Sequence, residues 1–211
     1  VLGKNVTLIE MADACLWQAF DKSYTDGLEF LLQDSGIQVM TGTKVKEILG
    51  KKSVESVALD DGRTIPTDMV ILGLGVKPNG ALAKDCGLEV NAKGAIKVDQ
   101  YMRTSDPDVF AVGDCAEKKC FFTGKDVPLL LASTAAMEAK IAGSNAFQLR
   151  LIRANKGTIS TFSTKLFGKT FAAAGLTETR ARQEGFTLMI GEFKTMDRHP
   201  STLPDAQEVN I

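Results

Sequence analysis

The sequence lacks the features that would place it in a membrane, around a metal or on a nucleic acid. No apolar run approaches the ~20 residues that span a bilayer, and no basic start followed by an apolar stretch reads as a secretory signal. The one histidine, His199, stands far along the chain from Cys15, Cys86, Cys115 and Cys120, and no two of these cysteines form a CxxC pair. A structural zinc site needs about four thiolate or imidazole ligands at close paired spacing, so that class is excluded. A formal net charge of -1 gives no electrostatic drive toward nucleic acid or anionic lipid. Internal repeats and low-complexity segments are also missing. The scattered thiols read as reduced cysteines, mostly small core residues. A soluble, cytoplasmic protein is the expectation.

What is present is ordinary for a globular chain. The 211 residues are 44% hydrophobic and 24% charged, enough for one or two domains with a sizeable core. Residue 1 is Val, and Val1-Leu2-Gly3-Lys4-Asn5 runs straight toward a strand; Glu208-Val209-Asn210-Ile211 reads as a strand beginning. Both ends are therefore expected to be cuts through a larger protein, with part of any active site outside the chain.

The apolar pattern predicts an α/β fold. Val6-Thr7-Leu8-Ile9-Glu10 is a short apolar run suited to a strand buried on both faces. Leu28, Leu31 and Leu32 recur at helical spacing between about Ser23 and Asp34, Gly36 is placed to end that helix, and Ile37-Gln38-Val39 restarts a strand. Strand, helix, strand in that order suggests a parallel sheet. Residues 44–68 change texture: short apolar stretches alternate with the turns Gly50-Lys51-Lys52 and Asp60-Asp61-Gly62, which predicts an antiparallel meander.

Further on, Met69-Val70-Ile71-Leu72 reads as a buried strand ending in Gly73-Leu74-Gly75. A short helix around 80–86 is closed by Gly87, and short strands are expected at Leu88–Val90 and Ile96–Val98. Val109-Phe110-Ala111-Val112 reads as another buried strand that stops at Gly113-Asp114. A helix is expected over 130–149, with Met137, Ile141 and Phe147 among its apolar positions. A strand pair near 160–174, a helix from Thr177 to Gln183 and a strand at Thr187-Leu188-Met189-Ile190 complete the reading.

Three positions carry chemistry. Glu10 is an acid at the carboxyl end of a strand, where a dinucleotide-binding βαβ unit uses such a group to accept hydrogen bonds from adenosine ribose hydroxyls. Taken alone, it reads more simply as a surface glutamate that ends a strand, and the companion Gly-rich turn would lie before Val1. Gly73 and Gly75 let a flat ligand or another backbone approach closely, or they make a plain strand-to-loop turn. The most specific string is TSDPDVFAVGD at 104–114. Gly113 leaves room beside a buried strand end, and Asp114 supplies a carboxylate, a pure acceptor suited to a sugar-alcohol chain.

That string resembles the second flavin motif of the pyridine nucleotide-disulfide oxidoreductase superfamily. Around it the order of segments is similar too. VTLIE resembles the second strand of the family's nicotinamide domain, VILGLGVKPN its close, and GLEVNAKGAIKVD the return into the flavin domain. LLASTAAMEAKIAG at 130–143 looks like the helix whose first amides approach the flavin ring, with Ala132, Ala136 and Ala139 where the family often has glycine, asparagine and glycine. TKLFGKTFAAAGLTETRAR is similar to the interface domain of the NADH oxidase and coenzyme A-disulfide reductase branch.

The resemblance implies remnants of two doubly wound nucleotide-binding domains plus an α+β interface domain. Their bounds are 1–88 for part of an NAD(H)-binding domain, 89–150 for part of an FAD-binding domain, and 151–211 for part of a dimerisation domain. It implies FAD held by Thr104, Gly113, Asp114, Ser133, Thr134 and Ala135, and NAD(H) at Glu10, Gly73 and Gly75. The implied activity passes electrons from NADH through FAD to a disulfide or polysulfide, or to dioxygen, in a homodimer with a small-molecule acceptor. The redox cysteine is expected upstream of Val1, and Cys115 reads as packing. A ferredoxin or rubredoxin reductase-type flavoprotein, or a non-catalytic binding module, is the alternative.

Overall fold

The computed structural model describes residues 3–148 and 153–211. It holds two compact units, Val1–Thr177 and Glu178–Ile211. The chain is mixed α/β throughout.

The first unit opens with strand β1 (Val6–Ile9), helix α1 (Lys22–Asp34) and strand β2 (Ile37–Met40). The strands pair in parallel, from Val6 opposite Ile37 to Ile9 opposite Met40, as the strand–helix–strand order predicts. Thr25, Leu28 and Leu32 form the buried stripe of α1, at the three- and four-residue steps that keep side chains on one helix face. Gly36, at φ 82°, takes the left-handed conformation that ends the helix, and its N–H donates to the Gln33 carbonyl at 2.9 Å. Cys15, Leu28 and Leu32 form the buried core here, with Leu8, Ile37, Val39, Leu166 and Phe171 against it. Burying a leucine contributes about 1.5–3 kcal/mol.

One expectation for this region fails. β1 is half-buried rather than buried on both faces, and Val6 is exposed. Its only ladder partner among the described residues is β2, so no second neighbour covers its other edge.

The expected meander is present as β3 (Val45–Leu49), β4 (Ser56–Leu59) and β5 (Thr64–Pro66), antiparallel in sequence order. Val57 and Leu59 alternate into the interior, while Gly62 turns the chain between β4 and β5. Helix α2 (Ala81–Asp85) ends just before Gly87 as expected. The expected strands at Leu88–Val90 and Ile96–Val98 are reduced to a single antiparallel bridge, Val90 to Ile96. Helix α3 (Ala132–Asn145) is shorter than the span 130–149. Met137 and Phe147 are exposed, so of the three apolar positions only Ile141 is buried; residue 149 lies outside the described residues. β6 (Phe162–Leu166) and β7 (Lys169–Ala173) form the expected hairpin. Phe20 meets Phe162 and Phe171 edge-on, which docks this hairpin on the first core.

Two expected buried strands in this unit are not observed. Met69–Leu72 has no ladder partner among the described residues, and Met69, Ile71 and Leu72 are exposed. Val109–Val112 keeps one bridge, Arg103 to Phe110, and only Ala111 is fully buried. An apolar run becomes a buried strand only when neighbours cover both its edges and its faces.

The second unit contains helix α4 (Glu178–Gln183) and an antiparallel pair, β8 (Lys194–Met196) and β9 (Glu208–Asn210). The expected helix and final strand are present, whereas Thr187–Ile190 is irregular, with Met189 fully exposed. The doubly wound layering is represented among the described residues by one parallel pair, β1–β2.

Candidate functional site

Gly113–Cys115 forms one turn of 3-10 helix, entered from extended Val112 and left through extended Ala116. Gly113 sits at φ 77°, a region in which a Cβ collides with the backbone, so glycine is the residue that fits. The segment is gripped from two sides. On one, Ile96 donates its N–H to the Cys115 carbonyl at 2.8 Å and accepts from the Glu117 N–H at 2.8 Å. On the other stands α3, where a Cβ on Gly113 would lie 3.6 Å from the Ala135 Cβ. Ile96, Ala111 and Ala116 form the local buried core, with Cys115 packed against it.

Asp114 is exposed at the crown of this turn. No hydrogen bond or ion pair engages its carboxylate among the described residues, so its oxygens are uncommitted acceptors. α3 begins at Ala132 with no side chain capping it, which leaves its first amides free of an intramolecular acceptor side chain. The sequence-predicted residues Gly113, Asp114 and Ser133–Ala135 are thus brought to one place. Ser133 is exposed, Thr134 buried and Ala135 half-buried. An exposed acceptor beside an uncapped helix start fits a ligand that offers both hydroxyl donors and an electron-rich ring edge.

Thr104 plays a more local part. Its hydroxyl donates to the Asp106 carbonyl at 3.0 Å and accepts from the Asp106 N–H at 3.2 Å, which fixes the Asp-Pro turn. Its N–H donates to the Val109 carbonyl, aligning the segment that leads to Gly113.

The nicotinamide candidates lie elsewhere. The Glu10 carboxylate accepts the Ala12 N–H at 2.8 Å, holding the loop after β1. Gly73 and Gly75 stand in open space, Gly75 at φ 77°. Glu10, Gly73 and Gly75 share no hydrogen bond among the described residues. The loop just past Gly75 does approach the flavin-motif region: Val76 and Pro78 line a cavity of about 40 Å³ together with Ala116 and Lys118.

None of the predicted site residues lines the larger hollow, about 680 Å³, which belongs to the second unit and includes Asp197, Arg198 and His199. His199 is an exposed loop residue. Cys115 donates its thiol to the Val112 carbonyl at 3.4 Å, Cys15 and Cys120 are buried, and Cys86 is exposed. No cluster of metal-ligating side chains occurs among the described residues, and no described helix is long and apolar enough to cross a membrane.

Sequence reasoning missed one pair entirely. Glu138 on α3 is fully buried and accepts the Gly113 N–H at 2.9 Å. Its partner is Lys118, also buried, at 3.1 Å. No signal in the sequence marks it: the fold places Thr134, Glu138, Ile141 and Asn145 on the buried stripe of α3, where a charge requires a partner.

The pattern of the family described as Pyridine nucleotide-disulphide oxidoreductase matches residues 1–143. The chain belongs to this family. It is 35% identical over 207 residues to the "NAD(P)H sulfur oxidoreductase (CoA-dependent)" of Pyrococcus furiosus, covering 98% of this chain and 46% of that protein. It is 32% identical over 211 residues to an "NADH oxidase" of Methanocaldococcus jannaschii, covering 99% of this chain and 46% of that protein. A solved NAD-dependent persulfide reductase from A. fulgidus superposes with a TM-score of 0.90 at 32% identity, over 99% of this chain and 38% of that one. The chain thus spans less than half the length of each.

Proposed function

We propose that this chain is the portion of an FAD-dependent NADH oxidoreductase that carries the flavin-binding aspartate. In this reading electrons pass from NADH through FAD to a disulfide or polysulfide, or to dioxygen, in a homodimer with a small-molecule acceptor. The observation that carries it is Asp114: an exposed carboxylate with no partner among the described residues, on a glycine-led turn beside the uncapped start of α3. The names of relatives matched across nearly the whole chain support the acceptor classes.

The residues fit such a cofactor. Asp114 accepts ribityl hydroxyls; Gly113 shapes the turn and Thr104 aligns the approach to it. The N–H groups of Ser133 and Thr134 present the positive end of α3 to the ring, a placement that stabilises negative charge there, while Ala135, whose N–H donates to the Leu131 carbonyl at 3.0 Å, supplies its side chain beside Gly113. Bound FAD would supply the redox chemistry, taking hydride from NADH and releasing electrons to the acceptor. Glu10 accepts ribose hydroxyls of NADH and repels the extra phosphate of NADPH, while Gly73 and Gly75 leave room for the nicotinamide half. The division at 1–88, 89–150 and 151–211 into nicotinamide, flavin and interface portions belongs to the same proposal.

The test is the full-length protein that carries this chain. It should purify with visible flavin absorbance that bleaches on anaerobic addition of NADH. Colourless protein that takes up no FAD on reconstitution would overturn the proposal. The isolated chain is expected to consume no NADH with added FAD.

A further inference from the structure

The Lys118–Glu138 pair is an unusual expense for a small protein region. Both side chains are essentially removed from water, with exposures of 3% and 0%. Taking two charges out of water costs several kcal/mol for each ion, and their attraction offsets this only with good geometry and further hydrogen bonds. Apolar residues of similar size would commonly serve stability as well or better. The second carboxylate oxygen of Glu138 is buried without a hydrogen-bond partner among the described residues, so the pair is not optimised for stability alone.

Its hydrogen bonds converge on one residue. Glu138 Oε2 accepts the N–H of Gly113 at 2.9 Å. Lys118 Nζ donates to the carbonyl of Gly113, and to that of Ala116 at 2.8 Å. Lys118 and Glu138 Oε2 then meet each other at 3.1 Å. The result is a closed ring: N–H of Gly113, carboxylate, ammonium, C=O of Gly113. The peptide groups on either side of the Gly113 α-carbon are thereby fixed, and the second of them is the one that carries Asp114. The Ala116 bond fixes the far end of the same turn.

We propose that Lys118 and Glu138 are positioning residues for Asp114: the buried pair locks both peptide groups of Gly113 and so holds the exposed carboxylate in the orientation that binds the flavin. The inference rests on the reading that Asp114 holds FAD. The physical basis is preorganisation. Glycine has the widest backbone freedom of any residue, and a glycine-led turn without tethers would sample several orientations of the following side chain. Tethering the turn before the ligand arrives removes that ordering cost from the binding step. The charges add directionality, because hydrogen bonds with one ionised partner are shorter and stronger than neutral ones. Lys118 also lines the small cavity that Val76 and Pro78 border.

The experiment separates positioning from stability. In the full-length protein, Glu138→Gln or Lys118→Met alone leaves a buried charge without its counter-ion, and both should lower the melting temperature and FAD affinity together. The double variant Glu138→Leu with Lys118→Met removes both charges, so its melting temperature as apoprotein should return to near the wild-type value. FAD affinity should nonetheless stay down by about tenfold, the size of one lost charge-assisted hydrogen bond, and the vibronic shape of the bound flavin absorbance should blur. If the double variant folds, binds FAD as tightly as wild type and shows the same spectrum, the pair is structural and the inference is wrong. If it does not refold, Glu138→Met with Lys118→Met, whose flexible apolar side chains refill the space without tethering Gly113, is the substitute and carries the same two outcomes. Wild-type protein that binds no FAD at all would instead overturn the reading of Asp114, and this control keeps the two failures apart.

Discussion

Ala135 stands 3.6 Å from where a Cβ on Gly113 would sit, ordinary contact distance, while Gly113 itself lies at φ 77°. Helix α3 therefore leaves space for a methyl group, and the backbone does not. Gly113→Ala should destabilise the protein by about 1–2 kcal/mol, the cost of holding an L-residue in a left-handed conformation. Denaturant unfolding measures this. A loss under about 0.5 kcal/mol, the scale of an unremarkable surface change, would mean that the turn is not held as described.

Leu28 is 2% exposed at the centre of the α1 core, between Cys15 and Leu32. Leu28→Ala should cost about 2–5 kcal/mol, combining lost burial with the cavity left behind. The exposed Phe30, on the opposite side of the same helix, should tolerate alanine with little effect in the same unfolding assay.

Glu10 bears on cofactor choice. Glu10→Gln keeps the side-chain shape and an acceptor for the Ala12 N–H, but removes the charge. NADH affinity of the full-length protein should fall by roughly fivefold, the difference between a charged and a neutral hydrogen bond. Discrimination against NADPH should narrow, because repulsion of its phosphate is relieved. Titrating both cofactors tests this, and an unchanged NADH-to-NADPH ratio would remove Glu10 from the site.

The thiols should divide by environment. Burial, with the nearby carboxylates of Glu29 and Glu10, pushes the Cys15 thiol up to about 11. Cys15 should resist alkylation at pH 8 in the folded protein, whereas exposed Cys86 should react readily. The sign of the linked stability effect follows from the raised value. The folded state keeps the Cys15 proton where an unfolded thiol, near 9, has lost it. Its contribution is intact below pH 9 and is lost between pH 9 and 11. Unfolding free energy that rises across that window in wild type relative to Cys15→Ala would contradict this environment.

Local patterns in the sequence were enough for much of the fold. The helical spacing of Leu28 and Leu32, the stop at Gly36, the Asp60-Asp61-Gly62 turn and the 162–173 hairpin all depend on neighbours within a few residues, and the structure follows them. Met69–Leu72, Val109–Val112 and Thr187–Ile190 read wrongly because burial of an apolar run is settled by distant strands, which its own composition does not reveal. The candidate flavin site was legible as the string at 104–114, since glycine and aspartate there have a joint geometric purpose. Its hidden support was not. Lys118 and Glu138 are 20 positions apart and ordinary one at a time; only the fold shows that both turn inward to the same glycine.

The central claim is that the Asp114 carboxylate holds the flavin, and the most direct test is FAD titration of full-length Asp114→Asn against wild type. The substitution preserves size and removes only the charge. Loss of a charge-assisted acceptor predicts weaker binding by about 1.5–3 kcal/mol, roughly ten- to a hundredfold in dissociation constant, with the fold unchanged by circular dichroism. Equal FAD affinity in the two proteins would contradict the account.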